Sequence, residues 1–153
     1  MSTIGGLLAD YPPLSELGGD VLEAMAEHAQ LVTFESGERV LRTGEPADTF
    51  YVMRHGRVAI EVPSNKGGSI VIETLEPGEV LGISWMLPPY RVTFDARCID
   101  ACGAVAIDAA AMRDACNADP VLGYALYRHL GGVVRDRLQA TRVQLLDLYA
   151  SHV

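Results

Sequence analysis

"GEPADTFYVMRHGRVAI", residues 44 to 60, holds a turn, a strand, a second turn and the opening of another strand. Gly44, Pro46 and Asp48 are turn formers, so the segment bends before Thr49. "TFYVMRHG" (49 to 56) is aromatic and β-branched, and it stops at Gly56. In "RVAIEV" (57 to 62), Val58, Ile60 and Val62 alternate with Arg57, Ala59 and Glu61. That period of two predicts a strand with one buried face and one wet face.

Runs of the same kind extend on both sides. "ERVLRTG" (38 to 44), "RVAIEVPS" (57 to 64), "GSIVIETLEPG" (68 to 78) and "DARCIDACGAVAID" (95 to 108) are short and β-rich, with Gly, Pro, Asn or Asp between them. "SNKGG" (64 to 68) is too polar to be anything but a hairpin tip. Strands at roughly eight-to-twelve-residue spacing predict a sandwich or barrel over about residues 31 to 107.

Helices flank this zone. In "LSELGGDVLEAMAEHAQLVTF" (14 to 34), Asp20 is the expected cap, and Val21, Leu22, Met25, Ala26 and Ala29 repeat at helical spacing. "DAAAMRDACNADP" predicts a short helix opening at Asp108 and stopped by Asn117 and Pro120. A longer helix is expected from about 121 to 150. Along it Val134, Leu138, Thr141, Leu145 and Leu148 form a heptad seam of about two heptads. Gly131 and Gly132 inside it mark a hinge or a close approach of another backbone.

The bulk numbers bound the function. At 153 residues the chain is expected to be one domain, 1 to 153. A hydrophobic share of 49% is enough for a globular core. The net charge of -8 repels phosphate backbones and anionic membranes, which argues against a nucleic-acid binder. "MSTIGGLLADYPP" has no signal-peptide pattern, and no run approaches the ~18 apolar residues of a membrane span. Cys98, Cys102 and Cys116 lack metal-knuckle spacing and read as buried, reduced thiols, so the cytoplasm is expected. His28, His55, His129 and His152 show no ligand spacing, and no metal is expected.

The 44–60 stretch resembles the signature of cyclic-nucleotide-binding domains through Gly44, Glu45, Ala47, Asp48, the pair Phe50–Tyr51, and Gly56. "PGEVLG" (77 to 82) resembles the approach to that family's phosphate-binding cassette. "RLQATRVQLLDL" (137 to 148) is similar to the C-terminal helix of its catabolite-activator subgroup. The resemblance covers roughly residues 14 to 148. It implies a mostly β fold with flanking helices: an eight-stranded, jelly-roll-type β-roll, a double-stranded β-helix, with one helix before it and helices after it.

The resemblance also implies a site between the roll and the last helix. Gly82 matches the cassette glycine and Arg91 the arginine that forks onto the cyclic phosphate. Ser84, Val92 and Thr93 stand where the cassette contacts its ligand. Thr141 matches a threonine that contacts the purine, and Arg142 replaces a smaller neighbour. Cyclic AMP or cyclic GMP is the implied ligand.

"GISWMLPPYRVT" (82 to 93) also departs from the family. Ile83 replaces a glutamate that accepts a hydrogen bond from the ribose 2′-hydroxyl, and it offers no acceptor. That loss corresponds to about 1.5–3 kcal/mol, or roughly ten- to a hundred-fold in affinity. Trp85 brings a bulky ring where a small residue is usual, and Pro88–Pro89–Tyr90 shortens and stiffens the loop. The pocket is expected to be degenerate, with the anion half kept and the sugar half lost.

Three function classes follow. The first is a non-enzymatic sensor that homodimerises through residues 133 to 148 and acts on another protein. Because the chain stops at Val153, where the family's transcription factors attach a helix-turn-helix, no direct DNA binding is expected. The second is a ligand-free scaffold with a collapsed pocket and Arg91 paired to a neighbour such as Asp95. The third is an enzyme: "GISWM" begins like a nucleophile elbow, but Met86 replaces the second glycine and no histidine partner is evident.

Overall fold

β3 (Thr49–His55) shows how the fold is built, because its two faces enter two different cores. The computed structural model describes residues 3–11 and 14–151, so Met1, Ser2, Pro12, Pro13, His152 and Val153 lie outside the description. Phe50 and Val52 belong to the core on the helix side, together with Val21 and Met25 as well as Leu126 and Leu130. Met53 and the half-buried Tyr51 point the other way, toward Val58, Leu75 and Ala96. The two-residue period of a strand makes this division possible.

Among the described residues, eight strands form two four-stranded antiparallel sheets. One runs β1 (Ala29–Phe34), β8 (Cys102–Asp108), β3, β6 (Val80–Leu81); the other runs β2 (Arg39–Leu41), β7 (Asp95–Cys98), β4 (Val58–Pro63), β5 (Ser69–Leu75). This is the expected jelly-roll-type β-roll. The strand zone begins at Ala29 and ends at Asp108, and two of its strands share the run 95 to 108.

Two details of the strand reading are corrected. β4 is not wet on one face: Ala59 and Glu61 are buried beside Val58. β4 lies between β5 and β7, and Glu61 Oε1 accepts from Arg97 Nε at 3.1 Å across the β4–β7 pair. A paired carboxylate tolerates burial that a free one would not. The two-residue β6 was not legible, since its pairing with Tyr51 and Val52 is supplied entirely by β3.

The helices also bring corrections. α1 (Thr3–Ala9) carries no acid or base in its terminal turns to signal it, and it was missed. α2 (Gly19–Glu27) is capped by Gly18 without a side-chain bond, so Asp20 sits in the first turn instead of capping it. Ala29 opens β1 and does not belong to the helical face. α3 (Ala109–Ala118) begins as expected, with Asp108 accepting from the Ala111 N–H at 3.1 Å.

α4 (Pro120–Ala150) starts under Asp119, whose carboxylate accepts from Val121 and Leu122 N–H groups. It passes straight through Gly131 and Gly132, and a methyl group at either would meet nothing within 4 Å. Among the described residues, neither glycine therefore admits a close backbone. Gly131→Ala and Gly132→Ala are each expected to stabilise the protein by about 1 kcal/mol, read as a higher urea midpoint at unchanged slope.

The cysteines are buried free thiols. Burial, followed by the neighbouring Cys102, pushes the Cys98 thiol up to about 12. It is neutral and packs as a small apolar group.

Candidate functional site

The "GEPAD" turn backs the loop that follows β6. Gly44 N donates to Val92 O, Val92 N to Glu45 O, and Ala47 N to Tyr90 O, so residues 44–47 and 90–92 are laced together. The two motifs that look separate in the sequence form one wall.

That wall closes one end of a cavity of about 400 Å3 between the roll and α4. This lies within the roughly 300–1,000 Å3 usual for small-molecule pockets. Gly82, Ile83 and Ser84 line it from the short 3-10 turn Ile83–Met86, and Val92, Thr93 and Phe94 line it from the approach to β7. Leu41, Ile60, Leu75 and Leu81 form the roll side; Val134, Arg137, Leu138 and Thr141 come from α4. Gly82 caps the 3-10 turn with φ 90, a left-handed conformation that suits glycine, and has no side chain to satisfy the N–H groups it leads.

The structure thus gathers six of the eight candidate residues: Gly82, Ile83, Ser84, Val92, Thr93 and Thr141. Ser84 Oγ and Thr93 Oγ1 are 3.4 Å apart, and Thr141 Oγ1 donates back to Arg137 O at 2.8 Å. Arg91 is exposed and outside the cavity lining, with Nη1 donating to Gly44 O at 3.4 Å. Arg142 is also exposed and outside it.

Asp95, considered above as a partner for Arg91, is committed elsewhere. Its carboxylate accepts from Thr43 N and Oγ1 at 2.8 and 2.9 Å and pairs with Arg39 at 3.5 Å. The Thr43 N–H, its hydroxyl and Arg39 hold the Asp95 carboxyl below its ordinary range against the opposing effect of burial. Its contribution to stability is present above the unfolded value and fades as pH falls through the lowered one.

Trp85 is fully buried, yet it does not line the cavity. Its indole stacks on Phe50, centroids 4.5 Å apart, and meets Tyr127 edge-on at 5.5 Å. Arg113 of α3 donates to Trp85 O at 3.0 Å while its guanidinium lies 4.3 Å from the centre of the Tyr90 ring. Tyr127 of α4 donates to Met86 O at 3.0 Å. The 3-10 turn and Tyr90 are thus held from the helix side, and the indole stands outside the cavity lining.

Two site residues escaped the sequence reading. Arg137 Nη2 donates to Val80 O, and its Nε lies 3.6 Å from Glu73 Oε1 of β5. Both side chains line the 400 Å3 cavity and also a neighbouring groove of about 740 Å3 between β5, the β5–β6 turn and α4. Burial and then Glu79 raise the Glu73 carboxyl above its ordinary value, against the pull of Arg137. Arg137 stands one helical turn before Thr141, so helical spacing carried a signal for it. Glu73 carried none, because only the roll brings β5 to α4.

Comparison with known proteins follows this geometry. A profile of the family described as "Cyclic nucleotide-binding domain" matches residues 31–119, more than half of the chain. A CRP-like cAMP-activated global transcriptional regulator of Mycobacterium tuberculosis is 28% identical over 132 residues, 86% of this chain and 57% of that protein. Glutaminase 1 of Bradyrhizobium diazoefficiens is 32% identical over 84 residues, 55% of this chain and 13% of that protein. The chain spans less than two thirds of the length of either. In three dimensions it is similar to a cyclic nucleotide-binding domain from Methylobacillus flagellatus KT, with TM-score 0.77 at 15% identity, covering 94% of this chain and 80% of that one.

Proposed function

Because the chain belongs to the cyclic nucleotide-binding domain family, we propose that it is a non-enzymatic sensor module whose open cavity takes a cyclic nucleotide. The observation that carries this reading is the cavity of about 400 Å3 between the roll and α4, walled by residues 82–84, 92–93 and 134–141. The contact residues in this reading are Gly82, Ile83, Ser84, Val92, Thr93 and Thr141, with Arg91 and Arg142 outside. Ile83 faces the cavity with no acceptor, so the ribose is gripped weakly. Ser84 Oγ faces the Thr93 hydroxyl at 3.4 Å, the arrangement of a polar cavity lining and not of a nucleophile paired with a histidine.

Output runs through α4. Leu138, Leu145 and Leu148 are 48%, 52% and 57% exposed, an apolar face that fits a homodimer. A ligand wedged against Val134, Leu138 and Thr141 biases the packing of that helix, and an unidentified protein partner reads the change. Direct DNA or membrane contact is not part of this reading. Among the described residues no helix is long and apolar enough to cross a membrane. Three buried free thiols fit a reducing compartment such as the cytoplasm.

Calorimetric titration with cyclic AMP and cyclic GMP tests the reading. Binding tighter than about 10 μM is expected for one of them, and Ile83→Glu is expected to strengthen it by roughly ten- to a hundred-fold by restoring an acceptor for the 2′-hydroxyl. A folded Ile83→Glu protein with no gain refutes the placement of the sugar at residue 83. The outward position of Arg91 favours a second reading, a ligand-free dimerisation scaffold. That reading requires that neither nucleotide binds while the chain still dimerises.

A further inference from the structure

Resting on the sensor reading above, we propose that the anion-binding group of this cavity is Arg137 of α4, held by Glu73 until a ligand phosphate displaces that carboxylate. Arg137 is the cation among the residues that line the cavity, while Arg91 lies outside it on Gly44 O. The guanidinium is only partly satisfied. Nη2 is spent on Val80 O, whereas Nε is buried and has no hydrogen-bond partner.

Glu73 balances the charge without filling that vacant donor, since its nearest oxygen is 3.6 Å from Nε. A phosphate oxygen can approach closer and accept a single charge-assisted bond from Nε. Glu73 is a poor permanent partner for a second reason: it is two-thirds buried and faces Glu79 across the neighbouring groove. Ser84, Thr93 and Thr141 line the same cavity and bring hydroxyls to the remaining ligand oxygens.

The same exchange supplies regulation. Arg137 and Glu73 form the bar that both cavities share, tying α4 to β5 and, through Val80 O, to β6. When phosphate takes Arg137, the β5–α4 tie is released and α4 is held by the ligand instead. A neutral ligand of the same shape leaves the tie intact.

The test uses the full chain with cyclic AMP, cyclic GMP and uncharged adenosine as probes. Arg137→Gln is expected to weaken cyclic-nucleotide binding by about tenfold or more and Glu73→Gln to strengthen it by about tenfold, with adenosine unchanged by either. Arg91→Ala is expected to change affinity by less than about twofold, since an exposed side chain outside the cavity contributes little. Glu73→Gln is a gain, so it keeps the proposal falsifiable if Arg137→Gln does not fold. Binding lost in Arg91→Ala but kept in Arg137→Gln overturns the assignment and leaves the sensor reading standing. If no variant binds either nucleotide, the sensor reading fails, and the 15N resonance of Arg137 Nε, assigned by its loss in Arg137→Lys, decides the rest. Movement of that resonance on titration with inorganic phosphate upholds the anion site, and a resonance that stays still overturns it.

Discussion

Trp85→Ala is expected to destabilise the protein by about 3–5 kcal/mol, read from urea unfolding followed by circular dichroism. The indole is fully buried, stacked on Phe50 and edge-on to Tyr127, so its removal opens a hole at the junction of β3, α4 and the 3-10 turn. The surrounding groups cannot collapse into it, because Arg113 and Tyr127 hold the loop by its carbonyls. Trp85→Phe is expected to lose distinctly less. It keeps the stacked ring and removes an indole N–H that is buried without a partner. A loss below about 1 kcal/mol for Trp85→Ala would show that the loop is held by its prolines and not by this ring.

Gly56→Ala is expected to cost about 2–5 kcal/mol, combining left-handed backbone strain with overpacking. Gly56 has φ +80, and a methyl group there would sit 2.4 Å from Ala101 O and 2.7 Å from Cys102 Sγ. The closest atom is backbone in the link between β7 and β8, so it cannot swing aside. Gly37→Ala is the matched control, with φ +85 and nothing within 4 Å, and it carries the strain alone at about 1–2 kcal/mol. Equal effects at the two positions, compared by thermal unfolding midpoints, would refute the steric part.

Gly56 also shows why the motif of residues 44 to 60 was a sound guide. It combines turn chemistry with a close approach, and both are written in local residue types. The strand runs, the "SNKGG" tip and the Asp108 cap were legible for the same reason: each depends on a few neighbouring residues. What misled was context. Glu61 read as exposed until β7 placed Arg97 beside it, and Asp20 read as a cap until the backbone began the helix two residues earlier, at Gly19. Trp85, a bulky ring in the cassette stretch, packs in the core against Phe50, a partner that only the fold supplies.

The site divides along the same line. Gly82, Ile83, Ser84, Val92 and Thr93 lie close together in the chain, and the resemblance placed them at the cavity where the structure gathers them. Arg91 belongs to the same stretch, but its direction depends on the lacing of residues 44–47 to 90–92, which no local pattern records.

The sequence by itself determined the strand runs, the turns, the helix cap set by Asp108, and the lack of a side-chain acceptor at residue 83. Only the tertiary structure decided that the indole leaves the cavity and that Arg137 enters it beside Glu73. The physical reason is range. Backbone conformation and alternation are settled within a few residues, whereas the direction of a long side chain depends on which distant carbonyl, carboxylate or ring the closed roll brings to meet it.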